Sequence, residues 1–417
     1  MIKVERYTLS NGLRVLYHYD ANTRMTALNV LYDVGSKDDH PHRTGFAHLF
    51  EHLMFGGSAN IPDFDTPLQL TGGENNAWTS SDITNYYTIA PTHNIETAFW
   101  LESDRMLRLA FTEQSLEVQR HVVIEEFKQR NLNQPYGDIF QLIRPVAFTC
   151  HPYRWPVIGS DIEDIETATL DEVKDFFYAH YAPNNAILCV SGSISYEETV
   201  RLCEKWFSLI PRREIAPRNL PVEPLQTEPR HLTVERDVPL DAIVKVYHMC
   251  ARNGAQYHAC DLLSDVLGTG ASSRLYKELV QEKQLFNSID ASISGEIECG
   301  LLIINGKLNK GVSIEDGEAA ILEEIEKLQK QGVSSREMNK VINRFEAEHL
   351  VSNLNYTDKA ANLAYHELIG RAEDINTEVD KYKVLTPEDI QQAACDILRE
   401  DNCSTLYYLA KQKSAEE

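Results

Sequence analysis

The chain of 417 residues lacks long apolar runs. No segment approaches the roughly 18 consecutive apolar residues that cross a bilayer as a helix, so no transmembrane helix is expected. The first residues, MIKVERYTLSNGLRVLYHYD, contain charges near the start, then alternate like a strand, and lack the apolar core of a signal peptide. We therefore expect a cytoplasmic protein that is not bound to a membrane.

The chain also lacks closely spaced cysteines. The eight cysteines are scattered along the chain, and no two have the spacing Cys-x-x-Cys. Such a set is too dilute for a disulfide framework and has the wrong spacing for a cysteine-based zinc site. It favours reduced, mostly buried thiols in a cytoplasmic protein.

Positive charge is the third deficit, because 40 Lys+Arg stand against 63 Asp+Glu and give a formal net charge of −23. Binding to nucleic acid or to an anionic membrane without sequence specificity requires a basic surface. The charge balance therefore argues against both nucleic acid and membrane as partners. The apolar share of 43% and the charged share of 25% are ordinary for a globular protein.

The order of apolar patterns is similar in the two halves of the chain: strands, then helices, then a strand. Between them, the segment 210–228 is rich in proline and has little periodicity, which is typical of a linker. The predicted fold class is α+β, with two similar domains that each have an antiparallel-rich sheet packed with helices. The predicted boundaries are residues 1–215 for the first domain, 216–229 for the Pro-rich linker and 230–417 for the second domain.

The predicted helix 45–56 contains the motif H-x-x-E-H, as His48-Leu49-Phe50-Glu51-His52. Residues i and i+4 of a helix are about 40° apart around its axis, so His48 and His52 project from one face. Two imidazoles and a carboxylate suit Zn²⁺ and leave one position for water, whose proton a Glu that is not a ligand can take. This motif is the inverzincin signature. The alternative is a helix with two surface histidines or two satisfied core histidines, but burying two His and one Glu in this Phe- and Leu-rich helix would be costly without a ligand.

A third metal ligand must come from another part of the chain. The predicted helix 115–130 contains Glu125 and Glu126 after an apolar stretch. Spacing alone does not decide which of the two is a ligand, or whether both belong to a plain helix surface.

Several longer motifs resemble the pitrilysin/insulin-degrading-enzyme family of zinc peptidases. The similarity covers most of residues 1–200 closely and is weaker over 230–300. The length resembles that of the short-chain branch, which contains mitochondrial processing peptidase and its bacterial relatives. The motifs are HLFEHLMFGGS (48–58), GGENNAWTSSDITNYY (72–87), VVIEEF (122–127), HPYRWPVIG (151–159), YAPNNAILCVSG (181–192) and LGTGASSRLYKELVQE (267–282).

The resemblance implies roles for the residues of both helices. His48 and His52 match the zinc histidines of the family, and Glu51 matches its general base. The third ligand of the family falls on Glu126, which makes Glu125 a surface residue or a support for the site. One Zn²⁺ per chain is implied.

The resemblance also implies a support for the zinc site and a substrate-binding strand. The family usually has another Glu seven residues before the third ligand, and Gln119 stands at that position here. An amide can still hydrogen-bond a ligand but has no negative charge, so zinc affinity is expected to differ. Asn76, Ala77 and Thr79 resemble the edge strand on which the family binds an extended peptide through main-chain hydrogen bonds. The alternative is an ordinary edge strand.

Two positions in the second domain depart from the family. An Arg and a Tyr, seven residues apart, bind substrate and stabilise the oxyanion in the family, but they align with Val280 and Asn287 here. Either a partner chain supplies them in a heterodimer, or a nearby residue such as Arg274 or Tyr276 serves instead. We favour the heterodimer.

Together these features predict a zinc-dependent endopeptidase that hydrolyses peptides or unfolded segments. The resemblance implies that the chain is half of a clamshell and the zinc-bearing subunit of a dimer. A non-catalytic scaffold subunit of the same family is the alternative, although scaffold members typically lack an intact H-x-x-E-H motif.

Overall fold

The computed structural model describes residues 1–411, and the chain divides into two compact units. Unit 1 contains Met1–Gln129, Trp155–Leu220 and Glu348–Glu378; among the described residues, unit 2 contains Arg130–Arg154, Pro221–Ala347 and residues 379–411. The predicted domains are continuous stretches, whereas each unit includes a segment from the other half of the chain. The predicted domain boundaries remain a prediction. The units are groups of segments that pack together, which is a different kind of division.

The strands are short and the helices vary in length. The strands are β1 (Glu5–Thr8), β2 (Arg14–Tyr19), β3 (Met25–Tyr32), β4 (Glu74–Thr79), β5 (Thr84–Pro91), β6 (Ala186–Gly192), β7 (Arg230–Arg236), β8 (Ala242–Met249), β9 (Phe286–Ile293), β10 (Gly300–Leu308) and β11 (Cys403–Ala410).

The α-helices are α1 (Phe46–Leu53), α2 (Asp65–Leu70), α3 (Glu96–Leu107), α4 (Glu113–Phe127), α5 (Ile139–Ala147), α6 (Ile162–Glu166), α7 (Leu170–His180), α8 (Tyr196–Phe207), α9 (Tyr257–Gly268), α10 (Ile314–Gln331), α11 (Ser335–Ser352), α12 (Tyr356–Ile369), α13 (Glu378–Lys383) and α14 (Pro387–Ile397). Two π-helical segments span Lys128–Leu132 and Tyr276–Glu282. Within residues 1–411, none of the helices is long and apolar enough to cross a membrane.

Both units are built on a mixed sheet with the same strand order. In unit 1 the order is β1-β2-β6-β3-β5-β4, and in unit 2 it is β7-β11-β8-β10-β9. β2 and β6 are parallel, as are β7 and β11, and the other neighbouring pairs are antiparallel. Without β1, the two orders correspond strand by strand. The prediction of two similar α+β domains with antiparallel-rich sheets is therefore confirmed.

The central strand β3 is apolar along most of its length because both faces of the unit 1 sheet are covered. Successive side chains of a strand point to opposite faces. Leu28 and Val30 pack in the core that includes α1, whereas Ala27 and Leu31 pack in a second core that includes α12. The segment 348–378 thus supplies the helix that covers the second face of the unit 1 sheet.

Strand β8 shows the same arrangement in unit 2. Ile243 and Tyr247 pack in the core that includes α9, whereas Val244 and Val246 pack in a separate core with α5. The segment 130–154 therefore supplies the helix that covers the second face of this sheet. Each covering helix comes from the half of the chain that does not form the sheet, which explains why the compact units are discontinuous.

The Pro-rich segment is held in place although it forms neither helix nor strand. The carboxylate of Glu223 accepts hydrogen bonds from three consecutive N–H groups, those of Thr149 at 2.7 Å, Cys150 at 3.0 Å and His151 at 2.9 Å. Burial alone would raise the pKa of Glu223, but these hydrogen bonds lower it to about 2. The part of the linker around Glu223, which belongs to unit 2, is therefore held by a charged group.

Candidate metal centre

Helix α1 begins at a tightly packed glycine and is capped by a distant carboxylate. Gly45, its N-cap residue, has a φ of +87°, and a Cβ there would lie 2.7 Å from the carbonyl oxygen of Ile158. The carboxylate of Asp39 accepts the N–H of Gly45 at 2.7 Å and that of Ala47 at 2.9 Å. Burial raises the pKa of Asp39 well above its usual range, and the backbone N–H groups only partly offset this effect. The buried Asp39 side chain thus provides hydrogen-bond acceptors for N–H groups at the N-terminus of α1, just before His48.

Helix α4 is packed against the turn that follows α1. The Thr112 side chain caps α4 by accepting the N–H of Ser115 at 3.1 Å. The hydroxyl of Ser115 in turn donates to the carbonyl oxygen of Gly56 at 3.0 Å. Leu53 of α1 and Val123 of α4 belong to one apolar core. These contacts fix the two helices relative to each other, and Glu126 lies in the last turn of α4.

His48, His52 and Glu126 meet between the two helices. Glu126 Oε2 lies 3.6 Å from His48 Nε2 and 3.2 Å from His52 Nε2. The imidazole centroids are 4.9 Å apart, and one donor atom from each of the three residues lies within 4.8 Å of the others. Among the described residues, these three are the one group of at least three His, Cys, Asp or Glu side chains that lie close enough together to hold a metal ion.

The geometry and the donor set of this cluster fit a zinc ion. Ligand atoms about 2.1 Å from a tetrahedral zinc ion lie about 3.4 Å from each other. The distances of 3.2 and 3.6 Å lie on either side of that value. Two imidazoles and one carboxylate are also the donor set of catalytic sites that keep a fourth position open. His48 is 7% exposed, whereas His52 and Glu126 are more accessible, so the cluster opens to solvent on one side.

The two consecutive glutamates of α4 differ in orientation. Glu126 faces the histidines, with 19% of its side chain exposed. The side chain of Glu125 is 62% exposed and forms an ion pair with Lys128 at 2.8 Å. Of the two glutamates, Glu126 is the one whose side chain belongs to the cluster that could hold a metal ion.

Glu51 lies on α1 between the two histidines and contacts strand β4. The hydroxyl of Thr79 donates to Glu51 Oε2 at 2.6 Å. This hydrogen bond fixes the orientation of the carboxylate from the neighbouring sheet. Sequence reasoning placed Thr79 in a substrate-binding strand and missed this contact, for which no local spacing gives a signal because the two residues come from different elements.

Strand β4 is an edge strand, as the resemblance implies, and pairs with β5 alone among the described strands. Asn76 is exposed, and Ala77 and Thr79 are half-buried on the other face. The side-chain oxygen of Asn76 accepts the backbone N–H of Ala77 at 2.8 Å. Their role in binding substrate stays a prediction.

Gln119 lies on α4, about two turns before Glu126. Its side chain is half-buried and faces the turn after α1: its Nε2 is 3.5 Å from the point that a Cβ at Gly56 would occupy. Its supporting role stays a prediction.

The positions that depart from the family lie in unit 2. Val280, on the second π-helical segment, packs against the apolar core, and Asn287 of β9 is exposed. Arg274 donates two hydrogen bonds to the carboxylate of Glu337, from Nε at 2.8 Å and from Nη2 at 3.1 Å. Its Nη2 also donates to the carbonyl oxygen of Gly332 at 2.8 Å. Because these hydrogen bonds engage the guanidinium, Arg274 is less suited to replace the substrate-binding Arg of the family.

Comparisons with known proteins identify the family. The model of insulinase, peptidase family M16, matches residues 14–160, and that of the peptidase M16 inactive domain matches 167–345. A relative from Helicobacter pylori, named zinc protease PqqE, is 30% identical over an alignment of 415 residues that covers 97% of this chain and 92% of that protein. The chain belongs to peptidase family M16. The resemblance to the pitrilysin family is thereby confirmed.

Solved structures of M16 relatives agree with the fold. A protease from Helicobacter pylori has a TM-score of 0.91 at 28% identity, over 98% of this chain and 100% of that one. Pitrilysin has a TM-score of 0.75 at 18% identity, over 100% of this chain and 46% of its own. The second likeness concerns the fold alone. This chain corresponds to about half of the length of pitrilysin, which agrees with the predicted fold class.

Proposed function

We propose that the chain is a zinc-dependent endopeptidase that hydrolyses peptides or unfolded segments. The observation that carries the proposal is the cluster of His48, His52 and Glu126 with Glu51 beside it. The name of the relative from Helicobacter pylori, zinc protease, supports the same chemistry.

In the proposed mechanism, His48, His52 and Glu126 hold the metal. When bound, zinc would act as a Lewis acid that polarises a carbonyl and makes water more acidic. Glu51 takes the proton of the attacking water and then gives it to the leaving amine. The hydrogen bond from Thr79 keeps the Glu51 carboxylate in one orientation, so no reorientation is needed at the moment of proton transfer.

The substrate would add to the free edge of β4 as an extended strand. Main-chain hydrogen bonds at a sheet edge accept many sequences, which suits a peptidase for unfolded segments. At that edge, a substrate carbonyl would replace the side-chain oxygen of Asn76 as the acceptor of the Ala77 N–H.

The first test is the metal itself. The purified chain is expected to bind about one zinc ion, because the cluster offers three ligands and an open position. Removal with a chelator should abolish cleavage of an unstructured fluorogenic peptide, and added Zn²⁺ should restore it. Atomic absorption and the cleavage rate measure the two quantities. A chain that neither contains nor binds zinc would contradict the proposal.

We also propose that the active form is a dimer, and specifically a heterodimer. Val280 and Asn287 cannot stabilise an oxyanion as Arg and Tyr do, so a partner of the same family would supply these groups. The natural candidate is a chain encoded nearby that has Ser-Ser-Arg-Leu, the Arg/Tyr pair and no H-x-x-E-H.

Mixing tests the heterodimer. Adding such a partner is expected to double the particle mass in light scattering and to raise kcat about 10²-fold, the usual effect of oxyanion donors. A partner with both the Arg and the Tyr replaced should bind without raising kcat. Full activity of the isolated chain, unchanged by the partner, would refute the heterodimer.

A non-catalytic scaffold is the second candidate. The substitutions at 280 and 287 favour it, and residues 167–345 match the M16 inactive domain. The zinc measurement separates the candidates, because a scaffold has no need of a metal. An intact His48, Glu51, His52 and Glu126 set favours catalysis.

A further inference from the structure

A buried ion pair joins two loops of unit 1. Lys37 Nζ donates to Asp82 Oδ1 at 2.8 Å, and the exposed fractions of the two side chains are 4% and 8%. Lys37 lies in a single 3₁₀ turn, Ser36–Asp38, which precedes α1, and Asp82 lies in the turn between β4 and β5. The pair therefore connects two segments that are 45 residues apart in the chain.

Stability alone does not explain this pair. Taking two charges out of water costs free energy that their attraction only partly offsets. Apolar side chains of similar volume at such positions often leave a protein equally stable or more stable. A buried ion pair does, however, fix which residues of two segments face each other. The contribution of Lys37 and Asp82 is therefore to the register of the two loops.

The backbones of these loops are in direct contact. The N–H of Ser36 donates to the carbonyl oxygen of Ser80 at 3.1 Å, and the N–H of Lys37 donates to that of Ser81 at 3.0 Å. A Cβ at Gly35 would lie only 2.5 Å from the Ser81 oxygen, so a side chain there would push the loops apart. The buried ion pair adds a side-chain contact to this backbone pairing, and the two loops are held together by both.

Both loops lead to Glu51. Asp39, two residues after Lys37, accepts N–H groups at the start of α1, the helix that contains Glu51. Thr79, three residues before Asp82, ends strand β4 and donates to Glu51 Oε2 at 2.6 Å. One end of the ion pair is thus connected to the Glu51 carboxylate through α1, and the other end through β4.

We propose that Lys37 is a positioning residue for the general base. Its ion pair with Asp82 holds the end of β4 at the distance from α1 at which the Thr79 hydroxyl meets the Glu51 carboxylate. The role rests on the proposed function, in which Glu51 takes the proton of water. Without the ion pair, the hydrogen bond from Thr79 forms for only part of the time, so the carboxylate adopts several orientations and proton transfer slows.

A kinetic cycle tests this role. Lys37→Met with Asp82→Asn removes both charges and leaves neither of them unpaired. It should lower kcat for an unstructured peptide about tenfold, near the lower end of what a hydrogen bond to a charged group contributes, with the unfolding midpoint and the zinc content unchanged. In a Thr79→Val background, the same two substitutions should have no further effect, because the hydrogen bond through which they act is already missing. An unchanged kcat, or the same tenfold loss in the Thr79→Val background, would overturn the proposal.

Methyl NMR of the full-length, metal-free chain tests the position of Thr79 without any cleavage. The threonine methyl signal that Thr79→Val removes identifies the residue. In Lys37→Met with Asp82→Asn, this signal should shift in the same direction as in Glu51→Ala, which lacks the acceptor. An unshifted signal would contradict the role of Lys37. If the unaltered chain cleaved no peptide, the proposed function would fail, and the shift would still decide whether Lys37 positions Thr79.

A second buried ion pair of unit 1 is the matched control. Lys359 and Asp20 are also 2.8 Å apart, with 9% and 12% of their side chains exposed. Lys359 lies on α12, on the face of the sheet opposite α1. Lys359→Met with Asp20→Asn should leave kcat and the Thr79 signal unchanged. Equal effects of the two pairs would mean that any loss of buried charge in unit 1 disturbs the site, and would overturn the specific role of Lys37.

Discussion

Replacing Glu51 by Gln is expected to lower kcat for an unstructured peptide by about 10³-fold, because a general base typically contributes 10²–10⁴-fold. The amide has nearly the same shape and can still accept the hydrogen bond of the Thr79 hydroxyl. It cannot take a proton from water. Because Glu51 is not in the ligand cluster, the zinc content of Glu51→Gln should equal that of the unaltered chain.

Two neighbouring glutamates are matched controls for this variant. Glu126→Gln should lose zinc and activity together, because the carboxylate of Glu126 is part of the cluster. Glu125→Gln should keep both, because Glu125 points to solvent and pairs with Lys128. Full activity of Glu51→Gln with bound zinc would disprove the role of Glu51 as general base.

Variants of Thr79 test whether its hydrogen bond to Glu51 contributes to the rate. Thr79→Val removes the hydroxyl that donates to Glu51 and should reduce kcat by about 10- to 100-fold, since a hydrogen bond to a charged group contributes about 1.5–3 kcal/mol. Thr79→Ser keeps the hydroxyl and should restore most of the rate. If both variants changed KM alone, Thr79 would act through the edge strand and not through Glu51.

Periodicity was sufficient to predict the fold class because the two sheets repeat one plan. The alternation along the strands and the spacing on α1 and α4 are local properties of the sequence. The covering helices α5 and α12 were not predicted. Each packs on the sheet of the other half of the chain, so its partner is distant in sequence and the linear order of the elements gives no sign of it.

In the candidate site, too, the residues of one helix were predictable from the sequence, and the contacts between distant segments were not. His48, Glu51 and His52 lie within one helical turn, so a single helix predicts their common face. Geometry within α4 could not separate Glu126 from Glu125, since neighbours on a helix point only about 100° apart and the position of α1 decides which one faces it. The hydrogen bonds from the start of α1 to Asp39 were also not predicted. A loop separates Asp39 from the helix, and only the fold of that loop brings the carboxylate to the N–H groups.

Replacing Arg105 by Ala is expected to be among the most destabilising changes in unit 1, costing about 3–5 kcal/mol because it leaves a buried charge without its partner. Arg105 is 0% exposed and binds the carboxylate of Glu102, itself 1% exposed, through Nε at 2.8 Å and Nη2 at 2.6 Å. Its guanidinium also lies 4.4–5.1 Å from the ring centroids of Phe55, Phe64 and Tyr86. Urea unfolding measures the cost.

A surface pair with the same spacing is the natural control. Arg201 and Glu198 are also three residues apart on a helix, at 2.6 Å, but about half of each side chain is exposed. Arg201→Ala should therefore leave the unfolding midpoint unchanged, since exposed ion pairs contribute little. A double variant, Arg105→Met with Glu102→Gln, should cost less than Arg105→Ala because it removes both charges. Equal effects of Arg105→Ala and Arg201→Ala would show that burial does not decide the cost.

The buried pair also connects stability to the metal centre. Phe55, which stacks on Arg105, lies two residues beyond the end of α1, and α1 contains both His48 and His52. Loss of the guanidinium removes a support from that end of the helix. Arg105→Ala should therefore weaken zinc binding in a competition assay at temperatures where the chain remains folded, whereas Arg201→Ala should not. Unchanged zinc affinity in Arg105→Ala would mean that the packing of α1 against α4 alone holds the ligands.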